Sequence, residues 1–204
     1  MKEILAAGLA RLVEMRGMLV SAHSLDSSGA YERSLAEREL ISNACFLSVF
    51  IALEEFYEAA FAHYLVGRMS TARWKPSKYG RPPSTDHAQK MLIGTQRYVD
   101  WSTPSTVVRL ADLYFVDGEP FRTPIASAQE HLNRMKTVRN ATAHISVTTQ
   151  AALDAVHAKW TGSAATGVTA YGTLMSTGLS GSHSFYGYTE TVVQAIMLDI
   201  ANRS

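Results

Sequence analysis

The residues of this chain best suited to chemistry stand together at Arg139-Asn140-Ala141-Thr142-Ala143-His144. Arginine is always charged and presents a planar fork of donors that suits a phosphate, while an imidazole can take or give a proton near neutral pH. An amide beside them can orient either group. Phosphate binding and proton transfer are the two operations that RNA cleavage without a metal requires.

A helix must position these groups. Ile125, Ala128, Leu132, Met135, Val138, Thr142 and Ile145 form one apolar stripe, so the spacing predicts a long helix over about 124–146, opened by Pro124. At about 100° per residue, Asn140 and His144 fall on nearly one face, roughly opposite that stripe, and are expected to be exposed or turned toward a partner. Arg139 falls within the stripe, which is costly for a permanent charge unless a carboxylate or phosphate meets it. Glu54 and Glu55 are the candidates by residue type. Each group also has a plainer reading: Arg139 paired structurally with one of these glutamates, and His144 closing a helix where a cation is favourable.

The remaining segments read as helices and two long loops. Leu5, Leu9, Leu12, Met15 and Leu19 mark an amphipathic helix over the first twenty residues. A longer signal runs over about 35–68 without a proline and is apolar on almost every side around Phe46, Leu47, Val49, Phe50, Ile51 and Leu53, the pattern of a central helix. Its apolar run over 44–53 is short for a membrane span and reads as core. Further helices are expected from Asp86 to about Trp101, from Thr103-Pro104 through Tyr114, over about 149–160, and from about Thr189 to the end. Between them, 70–86 is a loop with Pro76, Gly80, Pro82 and Pro83, and 161–184 is an irregular excursion rich in Gly, Ser and Thr. No alternating strands appear, so the expected fold is all-α, one domain over residues 1–204.

Composition narrows the function. The 204 residues carry 19 Lys and Arg against 18 Asp and Glu, a net charge of +1, so no global field draws the chain onto nucleic acid and any such contact needs a local patch. The basic loop provides one candidate: Arg73, Trp74, Lys75, Lys78, Tyr79 and Arg81 interleave cations with aromatics, a mixture that suits single-stranded RNA. Its plainer reading is a solvated loop anchored by Trp74. A single cysteine, Cys45, excludes an internal disulfide framework, and the charges at Lys2, Glu3, Arg11, Glu14 and Arg16 interrupt any signal-peptide core, so a cytoplasmic location off the membrane is expected. His23, His63, His87, His131, His157 and His183 show no ligand spacing, and neither a phosphate-binding glycine loop nor a Gly-x-Ser-x-Gly elbow is present. No metal and no cofactor are expected.

The Arg139-to-His144 stretch resembles the motif of HEPN-domain ribonucleases, in which an arginine and a polar residue precede a histidine by a short gap. The setting is similar too, with an apolar helix leading in through Leu132, Met135 and Val138, and an upstream apolar helix carrying acids at Ala52-Leu53-Glu54-Glu55-Phe56-Tyr57. The resemblance covers mainly 34–68 and 124–160, and the nearest branch is the one found with ribonuclease L-like and defence-island proteins. It implies a HEPN-like helical bundle that forms a homodimer and cuts RNA without metal to leave a cyclic phosphate. Arg139 would hold the phosphate, His144 would act as general base or acid, Asn140 would orient them, and Glu54 and Glu55 would support. A toxin or phage-defence effector restrained by a cognate antitoxin or other regulatory protein is the implied setting. Ser146 stands where some HEPN toxins carry a tyrosine modified by a nucleotidyltransferase antitoxin, so that particular partnership is not implied. The alternative is a non-catalytic helical module that binds a nucleotide, RNA or a partner protein.

Overall fold

Every regular element that the periodicity predicts is helical in the structure, a computed structural model that describes residues 1–94, 97–144 and 146–204. Eight α-helices follow one another among the described residues: α1 (Lys2–Ala22), α2 (Leu35–Leu65), α3 (Thr85–Ile93), α4 (Pro104–Tyr114), α5 (Arg122–Ala143), α6 (Val147–Thr161), α7 (Ala170–Met175) and α8 (Phe185–Asn202). A short 3-10 turn, Val116–Gly118, precedes α5. Extended pairing among the described residues is limited to the isolated bridges Leu25 with Tyr31, Lys78 with Phe115, and Thr177 with Ser184. The fold is all-α.

Local chemistry sets the boundaries where they depart from expectation. Helix α2 stops at Leu65 rather than near 68, because Gly67 adopts φ 87 and turns the chain out of the helix. Helix α3 ends at Ile93 instead of Trp101, with Gly94 at φ 58 as its C-cap, and its N-cap is Ser84, whose hydroxyl accepts from the His87 N–H, rather than Asp86. Residues 95 and 96 of that expected helix lie outside the described residues. Pro104 does occupy the first turn of α4 after Thr103, where its missing N–H costs nothing. By length and composition α2 is apolar enough to cross a membrane, and half of its most apolar window is buried inside the protein. Ile51 breaks the all-round burial expected of its centre, at 50% exposed.

The chain divides into two compact units. The first comprises Met1–Leu9, Ala52–Asn133 and Val192–Ser204. Its core is aromatic: the fully buried Phe61 stacks on Phe121 with ring centroids 3.8 Å apart and meets Trp101 at 5.2 Å and Phe115 at 5.7 Å. Fully burying one such side chain contributes about 2–3 kcal/mol. Tyr64, also buried, satisfies its hydroxyl by donating to the Ile200 carbonyl at 2.7 Å. The second unit comprises Ala10–Ile51 and Arg134–Thr191. There Phe185 lies 6.4 Å from Phe46 and 5.3 Å from Trp160, and the Trp160 Nε1–H donates to the Ser176 carbonyl at 2.9 Å. Arg16 donates from Nε to both carboxylate oxygens of the buried Glu190, at 2.8 and 3.0 Å.

The stretch over 161–184 is more ordered than its composition suggests. It contains α7, capped by Thr169, and the Thr177–Ser184 bridge, and Gly178 lies so close to Trp160 that a Cβ there would stand 2.7 Å from the indole Cζ2. Gly178 serves here to let backbone approach an aromatic ring, where composition alone reads looseness.

Candidate active site at the end of helix α5

Helix α5 runs from Arg122 to Ala143 because Ile125, Leu132, Met135, Val138 and Ala141 bury one face, while Pro124 sits in the first turn. Its C-terminal turn lies in the second unit. The His144 N–H donates to the Asn140 carbonyl at 2.9 Å, so His144 takes the last hydrogen bond of the helical ladder although the helix itself ends one residue earlier than its ring. Ser146 then opens α6 with a reciprocal capping box to Thr149, and the Thr149 hydroxyl donates back to the His144 carbonyl at 2.9 Å. The predicted helix over 124–146 therefore ends earlier, because a new N-cap claims Ser146. Ile145, the last residue of the expected stripe, lies outside the described residues.

Three candidate side chains share this turn. Arg139 is half-buried, its Nη1 donates to Asn140 Oδ1 at 3.2 Å, and its Cζ lies 6.0 Å from the centroid of the buried Phe50 ring. Among the described residues these partners are an amide and an arene, so no carboxylate neutralises the guanidinium there. Asn140 is half-buried and His144 exposed, in keeping with a face turned away from the Leu132 and Val138 stripe. A cation backed by an aromatic ring, an amide touching it and an open imidazole one turn on can hold a phosphate oxygen and exchange a proton.

No protein-family model matches this chain, and no curated protein or solved structure is significantly similar to it.

The other sequence candidates belong to the first unit. Glu54 is half-buried and Glu55 exposed, and both belong to the first unit, as does the basic loop. Within that loop Trp74 is half-buried with its ring 6.4 Å from Tyr64, and its N–H donates to the Ser70 hydroxyl. Lys78 is half-buried and donates to the Leu65 carbonyl; this burial, with Arg81 and Lys75 nearby, lowers its pKa below the ordinary lysine value. Only Arg73, Lys75, Tyr79 and Arg81 of the proposed RNA-contacting set present exposed side chains. Among the described residues no three His, Cys, Asp or Glu side chains gather as metal ligands would.

One histidine that spacing passed over does have chemically pointed neighbours. His23 meets Tyr171, and through it Arg38, within the second unit. These residues are far apart in sequence, so no local signal could have joined them.

Proposed function

We propose that this protein is a metal-independent endoribonuclease of HEPN type, acting as a homodimer in the cytoplasm with its motif paired across a shared cleft. The observation that carries the reading is the C-terminal turn of α5, where Arg139, with an amide and an arene as its partners, stands with Asn140 and the exposed His144. In this reading the Arg139 guanidinium holds the scissile phosphate and stabilises the charge that develops on it. His144 removes the proton from the ribose 2′-hydroxyl or returns one to the departing 5′-oxygen, and two copies of His144 divide those roles in a dimer. The 2′-oxygen forms its bond to phosphorus as the bond to the 5′-oxygen breaks, leaving a 2′,3′-cyclic phosphate and a 5′-hydroxyl. A toxin or defence role with a restraining partner accords with such an activity.

The test is cleavage of RNA by the purified chain in the presence of chelator. The expected outcome is a cyclic-phosphate product, with resistance in a substrate carrying 2′-deoxyribose at the cut site, since the attacking hydroxyl is gone. Cutting of that deoxy substrate at the normal rate, or the absence of any cleavage by a dimeric preparation across diverse RNAs, would sink the proposal in favour of a non-catalytic binding module.

A further inference from the structure

Next to the end of α1 the second unit builds a polar cluster that the Arg139 site does not use. The Nδ1 of His23 lies 2.9 Å from the Leu19 carbonyl oxygen, and because a carbonyl only accepts, Nδ1 carries a proton and donates there. In the neutral ring Nε2 is then an acceptor, and it lies 3.2 Å from the Tyr171 hydroxyl, which donates to it. The two rings stack with centroids 6.0 Å apart and planes within 8°. The oxygen of that same hydroxyl accepts from Arg38 Nη1 at 3.4 Å, and Arg38 Cζ lies 3.6 Å from the centroid of the Tyr31 ring.

Arg38 is over-provided with donors for such company. Among the described residues its partners are a phenol oxygen and an arene, neither a carboxylate, and its Nε is shielded from solvent without a hydrogen-bond partner. Of the acids near it in sequence, Glu37 accepts from the Ser34 N–H and hydroxyl, Glu32 accepts from the Ser24 hydroxyl, and Glu39, next in the chain, makes no ion pair with Arg38 among the described residues. The permanent charge of Arg38 thus has no anionic partner among the described residues, and an arriving anion would provide one. Access is open at the Nη edge of the guanidinium rather than at the shielded Nε, since Tyr31 is 51% exposed and His23, Arg38 and Tyr171 are half-buried.

We propose that Arg38 and Tyr171 form a phosphate-binding site for the terminal group of a phosphomonoester, with His23 and Tyr31 as positioning residues. Tyr31 fixes the plane of the guanidinium, so its fork is pre-organised for two anion oxygens. The Tyr171 O–H turns from His23 to a third oxygen. A phosphate has a third oxygen for the phenol besides the two that the fork takes, whereas a carboxylate has oxygens only for the fork. The site shares no residue with Arg139 and His144, and its test reads binding, not cleavage.

Calorimetric titration of the full chain with inorganic phosphate, adenosine monophosphate and acetate decides the matter. Saturable phosphate binding is expected, at least about tenfold tighter than acetate and at least about tenfold weakened in Arg38→Lys, which keeps the charge but loses the fork. Tyr171→Phe should weaken phosphate by about fivefold or more while its melting curve shows a folded protein. Tighter binding of the nucleotide than of phosphate would assign the site to a nucleotide; equal binding would assign it to a free or generic phosphoryl group. No saturation by about 10 mM phosphate or nucleotide, or wild-type phosphate affinity in Arg38→Lys or in a folded Tyr171→Phe, would overturn it. If Tyr171→Phe does not fold, Arg38→Lys alone decides.

Discussion

Two arginines of the second unit, Arg139 on α5 and Arg38 on α2, solve one problem in different ways. Each is half-buried on a helix, each is backed by an aromatic ring, and each has a polar but uncharged group as its hydrogen-bond partner. Arg139 takes its polar partner from the next residue and stands loosely over Phe50 at 6.0 Å. Arg38 lies tightly on Tyr31 at 3.6 Å and meets Tyr171 from the far end of the chain. On the proposed roles, a contiguous site leaves its cation free to follow a reacting phosphate, whereas an assembled one fixes the cation in a set geometry and suits recognition.

The sharpest way to break this comparison is to remove the groups assigned to chemistry. Arg139→Ala and His144→Ala should each lower RNA cleavage by at least about a hundredfold, the scale of a lost charge-stabilising or acid–base group. Because His144 is exposed, thermal melting of His144→Ala should match that of the unmodified chain. Full cleavage by either variant would remove the chemical role given to the contiguous site.

Stability separates the two arrangements more gently. Tyr171→Phe deletes a hydroxyl that both donates to His23 and accepts from Arg38, and should cost about 1–2 kcal/mol in denaturant unfolding. Asn140→Ala, which removes one partly exposed bond, should cost less than about 1 kcal/mol by the same measure. Equal costs would erase the distinction between an assembled and a contiguous site. Ser146→Ala removes the cap that follows His144 and should cost about 1 kcal/mol, with the loss read as lower helix content near α6.

The smallest expected effect concerns the chain leading to Tyr171. Asp154 accepts from the Gly167 and Val168 N–H groups and from Gln150, and these bonds, that from Gly167 foremost, hold its carboxyl below the usual value of 3.8. A depressed carboxyl stabilises above its unfolded value and loses that contribution as pH falls through the lower folded one. Acid melts should therefore show a small decline below about pH 4 that Asp154→Asn lacks. An unchanged acid limb in the variant would detach this loop from the fold's stability.

Much of the architecture was legible because it is local. Apolar residues at helical spacing mark α1, α2, α5, α6 and α8, Pro104 marks the start of α4, and the Arg139 turn lies within one stretch of chain. The loop over 161–184 was misread because Gly178 acts through Trp160, a partner that composition does not name. The same reason hid the second arginine: His23, Tyr31, Arg38 and Tyr171 each look ordinary in sequence.

By itself, then, the order of residues determined the helical class, the burial of the α5 stripe and the exposure of His144, since periodicity at about 3.6 residues per turn acts within a single helix. Tertiary structure alone decided that Arg139 is backed by Phe50, that Glu190 is buried against Arg16, and that Tyr171 joins His23 to Arg38. Hydrogen bonds and ring contacts between distant segments depend on how helices pack, and packing is set by the sum of many weak apolar contacts that no single stretch of sequence contains.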